Sequence, residues 1–183
     1  DAITCSYDST ATSISIDETV SYKGIAMSVE NVMPYTAYRQ TSVKTLSLSP
    51  KSDIGDYAFY GCTGITNATI SNKGNIGTNA FYGCTGITNA TISNEGNIGA
   101  SAFAGCDLRS FTFPSTVKKV GRVAFGHAKI TSITIPKSLT ECGDGLFYGS
   151  TTLKKVVFEE GYTVIPEGML QGCSKLQYVT LPS

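Results

Sequence analysis

Six cysteines are the residues of this 183-residue chain best suited to chemistry, because thiolates bind metals, form disulfides and act as nucleophiles. Four of them share one position of a repeat whose period is about 22 residues: Cys62, Cys84, Cys106 and Cys173. A repeat places these sulfurs in a line, whereas zinc needs a tetrahedron of ligands, and parallel side chains make a disulfide torsion awkward. The spacing therefore predicts a buried column of free thiols. Cys142 falls at an apolar repeat position, and Cys5 lies outside the register.

The chain has one histidine, His127, which stands where other copies of the repeat have glycine. A substitution in a loop explains it better than catalysis does, because no Ser-His or Cys-His pair recurs at a defined site. The sequence contains neither a P-loop nor a Gly-x-Gly-x-x-Gly motif, and its 19 glycines belong to repeated turns. We therefore predict no catalytic residue, no cofactor and no metal site.

The elements that carry these residues repeat along most of the chain. Residues 54–75 and 76–97 are nearly identical, and further copies begin near Val120, Cys142 and Ile165. The twin copies differ at three pairs of positions: Asp56/Thr78, Tyr57/Asn79 and Lys73/Glu95. One such unit is too small to bury its own apolar side, so neighbouring units must stack on it.

Each copy carries apolar residues at positions 0, +3 and +5, as in Ile130, Ile133 and Ile135, and the last two alternate as a strand does. Half a unit earlier, Gly or Pro precedes Ala-Phe and then Gly-Cys, which predicts one or two turns of helix ended by glycine. Pro166 suits the first turn of such a helix. A strand, a turn, a short helix and a return loop make one coil, and the whole is predicted to be an α/β solenoid.

The stretch from Ile130 to Pro136, Ile-x-x-Ile-x-Ile-Pro, followed by a leucine and then Gly-x-x-x-Phe, resembles the BspA-type leucine-rich repeat. The resemblance covers roughly residues 32–183, with Ala128 and Ser150 in place of the family cysteine. It implies a right-handed superhelix with a parallel sheet on the concave side and short helices or helical turns on the convex side. It also implies a secreted or cell-surface protein that mediates adhesion in host-associated bacteria and some protozoa.

The solvent-facing side chains of the predicted sheet are the candidate ligand-binding residues. Positions +2 and +4 of each strand should point outward, and they are short, hydroxyl-rich and almost uncharged: Asn67, Thr69, Asn89, Thr91, Ser110, Thr112, Ser132, Thr134, Lys155 and Tyr178. Threonine also favours strands for structural reasons alone, so a purely structural role is an alternative. The sheets of repeat proteins present extended binding surfaces, and short side chains lose little entropy when a partner docks.

A second candidate surface lies on the predicted convex side, where Tyr60, Tyr82 and Tyr148 follow the core phenylalanine position. These tyrosines are either a binding stripe or a cover for the helix flank. Two sites, Asn67-Ala-Thr and Asn89-Ala-Thr, fit the N-glycosylation sequon. The two sequons occupy the same position of the twin copies, so they are one sequon that was duplicated.

The balance of charge narrows the range of partners. Fourteen Lys and Arg offset fourteen Asp and Glu, and only 15% of residues are charged, which argues against nucleic acid. No apolar run approaches the ~20 residues of a membrane span, so we predict no membrane insertion. The sequence favours a non-enzymatic binding or adhesion module for host or cell-surface proteins. The alternatives are a structural spacer, a glycan-binding array appended to another domain, and a targeting array of an enzyme.

The two ends of the chain depart from the repeat. Residues 1–31 match it poorly and are interpreted as an N-terminal cap or a degenerate repeat, and the array of residues 32–183 stops partway through a unit. Leu176, Val179 and Leu181 should then have a neighbouring coil on one side only. We expect another segment, or end-to-end self-association, to cover them.

Overall fold

The computed structural model describes residues 11–16, 19–22, 25–28, 31–49 and 53–183. Cys5 and much of the predicted cap lie outside these ranges. Within these ranges eleven strands are assigned in chain order: β1 Ser13–Ile16, β2 Thr19–Tyr22, β3 Ile25–Ser28, β4 Thr45–Leu48, β5 Asn67–Ile70, β6 Ala90–Ile92, β7 Lys119–Val120, β8 Ser132–Ile135, β9 Glu141–Cys142, β10 Lys155–Phe158 and β11 Tyr178–Thr180.

The strands form a parallel β-solenoid of about six turns. Coils 1 to 6 begin at Val32, Ile54, Ile76, Ile98, Val120 and Cys142, and residues 165–183 add the turn and strand of a further coil. The main sheet has the order β1-β4-β5-β6, followed after an interruption by β8-β10-β11, and both parts are parallel. Strand β1 pairs with β4, so part of the predicted cap continues the sheet, while β2 and β3 pair antiparallel.

A stack of phenylalanine rings forms the middle of the core, because the repeat places an aromatic residue at the same point of successive coils. Phe59, Phe81, Phe103, Phe125 and Phe147 are fully buried, with neighbouring ring centroids 5.2–5.9 Å apart. The predicted inward residues of the strands are likewise buried in coils 5 and 6, whereas Val179 in the last strand and Leu181, which directly follows it, are 44% and 57% exposed.

The predicted helices on the convex side are wrong: the residues that the structure describes form no helix. In coil 2, the N–H groups of Phe59 and Gly61 donate to Ala80 and Tyr82 of the next coil, at 2.8 and 2.7 Å. The N–H groups of Tyr60 and Cys62 instead close β-turns, with the carbonyls of Tyr57 and Phe59, each at 3.2 Å. Because alternate donors bond to a neighbouring coil, the i to i−4 ladder of an α-helix cannot form. We call this side the turn face.

Backbone conformation explains the sequence pattern that resembled a helix. Residues at two positions of each turn segment adopt positive φ, for example Tyr57 at 57° and Gly61 at 68°. A positive φ at the third residue of a β-turn is typical of a type II turn, which favours glycine there. The glycine before the cysteine is thus a turn residue and not a helix cap. Arg39 and His127 adopt the same conformation without being glycine.

A column of side chains along the return loops holds successive coils in register. Asn31 accepts from the N–H of Asp53, Asp53 from Asn75, Asn75 from Asn97, and Asn97 from Lys119, at 2.7–3.1 Å. Each pair is 22 residues apart. These bonds satisfy the backbone N–H groups of Asp53, Asn75, Asn97 and Lys119, a role of the side chains that the sequence pattern did not predict.

The main sheet is interrupted in coil 4. Residues 108–113, all of them described, form no strand, although they carry the predicted pattern of Leu108, Phe111 and Phe113. Between this segment and coil 3, one backbone hydrogen bond remains among the described residues, from Arg109 to Thr88 at 3.0 Å. The strand that the 0, +3, +5 pattern predicts is therefore not formed by residues 108–113.

Two features of the sequence distinguish coil 4 from coil 3. Cys106 and Leu108 are two residues apart, whereas Cys84 and Ile87 in coil 3 are three apart; because Ala128 and Ile130 in coil 5 are also two apart and strand β8 still forms there, the shorter path alone does not break the sheet. Phe111 also stands where coils 2 and 3 have alanine. Its ring packs 4.5 Å from that of Phe125 and stays only partly buried, so it does not fit the close spacing of neighbouring strands.

Candidate functional site

The ten predicted site residues all lie exposed on one surface, the strand face, which is formed by the +2 and +4 side chains of the main sheet. Seven of them are on strands: Asn67 and Thr69 on β5, Thr91 on β6, Ser132 and Thr134 on β8, Lys155 on β10, and Tyr178 on β11. Asn89 directly precedes β6, and Ser110 and Thr112 lie in the interrupted segment. The parallel register places Thr69 beside Thr91, and Thr134 beside Val157. Exposure is thus as expected, while ligand binding by these residues stays a prediction.

The interruption in coil 4 changes this surface from a flat sheet into two clefts. The first, of about 360 Å³, lies between the segment and β8 and is lined by Ser110, Phe111, Thr112, Ser132, Ile133, Thr134, Lys155 and Val157. The second, of about 240 Å³, lies on the other side of the same segment, against β6. We call the larger one the coil-4 cleft. Its volume falls within the range of small-ligand sites in proteins.

Phe111 was predicted to be an inward core residue; it packs against the core but is only partly buried, and it also lines both clefts. Its ring is half-buried and contacts Phe113 edge to face, with centroids 4.9 Å apart. The signal that could have revealed this was the pair of phenylalanines, Phe111 and Phe113, where the twin copies have alanine and isoleucine.

The lining of the coil-4 cleft carries a single charged side chain. Lys155 is the one ionisable residue of its lining, so no carboxylate offsets the ammonium there. Among the described residues, Lys155 takes part in no ion pair, and the hydroxyls of Ser110, Thr112, Ser132 and Thr134 make no hydrogen bond to protein. Apart from these two clefts, a shallower depression of about 460 Å³ lies beside the strand face, and its lining includes Lys154 and Lys175.

The turn face carries a second exposed aromatic surface in its N-terminal half. Tyr38, Tyr60 and Tyr82 stack with ring centroids 5.1 and 5.0 Å apart, and Tyr35 stacks on Tyr57 at 5.2 Å. The guanidinium of Arg39 lies 5.7 Å from the Tyr38 ring centroid. The sequence predicted Tyr60 and Tyr82 in this surface but missed the other three tyrosines. Because the rings stack on one another, they cover the turns as much as they face solvent.

The four cysteines of the repeat column are buried free thiols. Their sulfur atoms donate to carbonyl oxygens one coil earlier, as Cys106 Sγ does to Phe81 at 3.0 Å. A hydrogen bond with the Cys84 side chain, and then burial, raise the pKa of the Cys62 thiol far above its ordinary value. Burial also raises the pKa of Cys142, to about 11. A thiol that stays protonated is a poor nucleophile, so Cys62 contributes to packing.

The remaining candidates for chemistry stay apart from one another. His127 is exposed on the turn face, where its ring meets Tyr148 edge to face, with centroids 5.6 Å apart. Among the described residues, no group of His, Cys, Asp and Glu side chains could hold a metal ion, and no helix could span a membrane.

Comparison with known proteins agrees with the fold of repeated coils. The family model for the BspA type leucine-rich repeat region matches six copies, over residues 31–96 and 74–183. The chain belongs to this family. The BspA-type repeat therefore adopts here a coil built from strands and linked turns, with cysteine as a hydrogen-bonding residue of the turn. No curated protein matches the chain.

Solved structures show the same fold. A leucine-rich repeat protein from Bacteroides ovatus superposes with a TM-score of 0.74 at 23% identity, over 92% of this chain and 42% of its own. A second, from Eubacterium ventriosum, gives a TM-score of 0.62 at 24% identity, over 75% of this chain and 39% of its own. The T. pallidum leucine-rich repeat protein gives 0.58 at 21% identity, over 94% and 71%. The chain thus spans less than half the length of the first two proteins.

Proposed function

We propose that this BspA-type repeat array is a non-enzymatic binding module, secreted or displayed at a cell surface, whose strand face binds a protein partner. The observation that carries the proposal is the strand face itself: ten exposed, mostly short polar side chains on neighbouring coils. Near-copying of coils 2 and 3 extends such a surface, which increases contact area but would add little to catalysis. Membership of a repeat family that is generally non-enzymatic supports the same conclusion.

The chemistry of the strand face suits docking more than it suits turnover. Hydroxyl and amide groups donate and accept hydrogen bonds without a fixed charge, so they accept partners of varied sequence. Short side chains such as Thr69 and Thr91 lose little rotamer freedom on binding. Adhesion to host or cell-surface proteins is the activity that we expect from this surface.

The test is capture of purified extracellular-matrix proteins immobilised on a sensor surface. Replacing Thr69 and Thr134 together by Arg should lower capture at least tenfold, because long charged side chains would project from the middle of the contact area. The matched control makes the same replacement by Arg at Thr63 and Thr85, which are exposed but lie outside the strand face. Equal capture by both variants would move the site to the tyrosines of the turn face. If no matrix protein binds, the array is better explained as a spacer.

A further inference from the structure

We propose that the coil-4 cleft binds an acidic saccharide unit, one that carries a carboxylate or a sulfate. The inference rests on the proposed function, because it assigns a ligand class to one part of the strand face. It starts from the break in the main sheet, since an unbroken sheet would leave no room for a cleft between coils 4 and 5. The lining then decides which ligand fits.

The four hydroxyls of the cleft are free to bond to a ligand. Ser110, Thr112, Ser132 and Thr134 line the same cleft, and among the described residues none of their side chains hydrogen-bonds to protein. A hydroxyl both donates and accepts, and so does each hydroxyl of a sugar ring. A cluster of such groups can pair with several sugar hydroxyls, whereas a peptide backbone needs donors and acceptors in a fixed alternation.

Phe111 supplies the apolar part of the site. Its ring is partly buried by the core, so it is held by contacts with Phe113 and Phe125 at 4.9 and 4.5 Å between centroids. A rigid aromatic surface beside hydroxyls complements a sugar, which has C–H groups on the ring and hydroxyls around it. On the flat part of the sheet around Thr69 the inward residues are Ala68 and Ile70, so no aromatic ring lies beside the hydroxyls there.

Lys155 determines the charge of the ligand. It is the one ionisable residue in the lining, and among the described residues no carboxylate pairs with it. An ammonium group that faces a cleft without a counter-ion favours a carboxylate or sulfate on the ligand, through a charge-assisted hydrogen bond. With a volume of about 360 Å³, the cleft is sized for a small part of an oligosaccharide and not for a protein domain.

The experiment measures binding of three oligosaccharides by calorimetry: a hyaluronan hexasaccharide, which carries carboxylates, a heparin hexasaccharide, which also carries sulfates, and neutral maltohexaose. We expect at least one acidic probe to bind and maltohexaose to bind at least tenfold more weakly. The difference between the two acidic probes identifies which anion the site prefers. Polyglutamate, added as a competitor, tests whether negative charge alone is sufficient.

Two variants of the cleft are compared with two matched controls. Thr134→Val keeps a strand-forming shape but removes a hydroxyl, and should weaken binding of the acidic probe about fivefold, the effect of one hydrogen bond. Lys155→Gln should weaken it about tenfold and leave maltohexaose unchanged. Thr69→Val, in the same column on β5, and Lys137→Gln, outside the strand face, should have no effect.

Several results would overturn the inference. These are the absence of binding by either acidic probe, equal binding of maltohexaose, displacement by polyglutamate as effective as by free hexasaccharide, and an equal loss in Thr69→Val and Thr134→Val. If the protein still captured a matrix protein through the strand face in those cases, the proposed function would stand and only the saccharide assignment would fail.

Discussion

The thiol of Cys84 donates a hydrogen bond to the carbonyl oxygen of Phe59, 3.0 Å away and one coil earlier. The same bond recurs from Cys62 to Ala37 and from Cys173 to Phe147. In coil 6 the cysteine is replaced by Ser150, whose hydroxyl donates to Phe125 at 3.1 Å. The cysteine position is therefore a small side chain that fills the turn and donates to the coil before it.

The first prediction tests this role at Cys84. Cys84→Ser should keep the hydrogen bond, as Ser150 does, and change the free energy of unfolding by no more than about 1 kcal/mol. Cys84→Val removes the donor and adds volume at a fully buried site, and should cost about 1–3 kcal/mol. Urea denaturation measures both. If serine proves more damaging than valine, packing and not hydrogen bonding defines this position.

The second prediction concerns alkaline pH. The hydrogen bond with Cys106 and burial raise the pKa of the Cys84 thiol well above its ordinary value of 9.0. An unfolded chain loses this proton near pH 9 while the folded chain keeps it, so the stabilisation is complete below that pH and is lost as pH rises above it. The unfolding free energy should therefore fall between pH 8 and 10.5. The fall should be smaller in Cys84→Ser, which does not titrate there.

The third prediction concerns the phenylalanine stack. Phe103 is fully buried between Phe81 and Phe125, with ring centroids at 5.2 and 5.6 Å. Phe103→Ala should cost about 3–5 kcal/mol, as large-to-small core changes do. The exposed Tyr82 provides the control, since Tyr82→Ala should cost far less. A loss within experimental error in Phe103→Ala would mean that the rings do not support the core.

The sequence predicted the repeat, the inward columns and the exposed strand face, because stacking identical units converts a one-dimensional pattern into columns. Its prediction of short helices on the turn face was wrong, because Ala-Phe between glycines suits both a short helix and linked β-turns. The choice between them depends on whether an N–H such as that of Phe59 bonds within its coil or to the next. That is a contact between units, and no single unit's pattern contains it. The break in coil 4 likewise depends on a mismatch between neighbours.

The fourth prediction concerns the last strand, where self-association stays a proposal. Val179 and Leu181 are 44% and 57% exposed, and β11 pairs with β10 alone among the described strands. If a second copy covers this edge, sedimentation should show a dimer that grows with concentration, and Val179→Asp should shift it to monomer. Val164→Asp, at an exposed valine of the return loop, is the control and should leave the dimer unchanged. A strictly monomeric wild-type chain at high concentration would rule out this contact.

The fifth prediction concerns hydrogen exchange across the break. In coil 4, the amides of Thr112 and Phe113 donate no backbone hydrogen bond among the described residues, whereas Thr69 and Ile70 lie within paired β5. Exchange of the two coil-4 amides should therefore be at least tenfold faster than that of the β5 amides. Equal protection would mean that the sheet continues through coil 4 in solution and that the coil-4 cleft does not persist.

Two variants separate the causes of the break and test its consequence. Inserting one glycine after Asp107 restores the three-residue spacing of coils 2 and 3. The added residue is glycine, as in the twin copies, because a Cβ at the equivalent Gly64 would lie 2.0 Å from the carbonyl oxygen of Thr41. Replacing Phe111 by Ala and Phe113 by Ile instead restores the side chains of the twin copies. Whichever change slows amide exchange in coil 4 identifies the dominant cause. The same variant should lose the coil-4 cleft and, with it, binding of the acidic hexasaccharide, because closed strand pairing leaves no space between neighbouring coils.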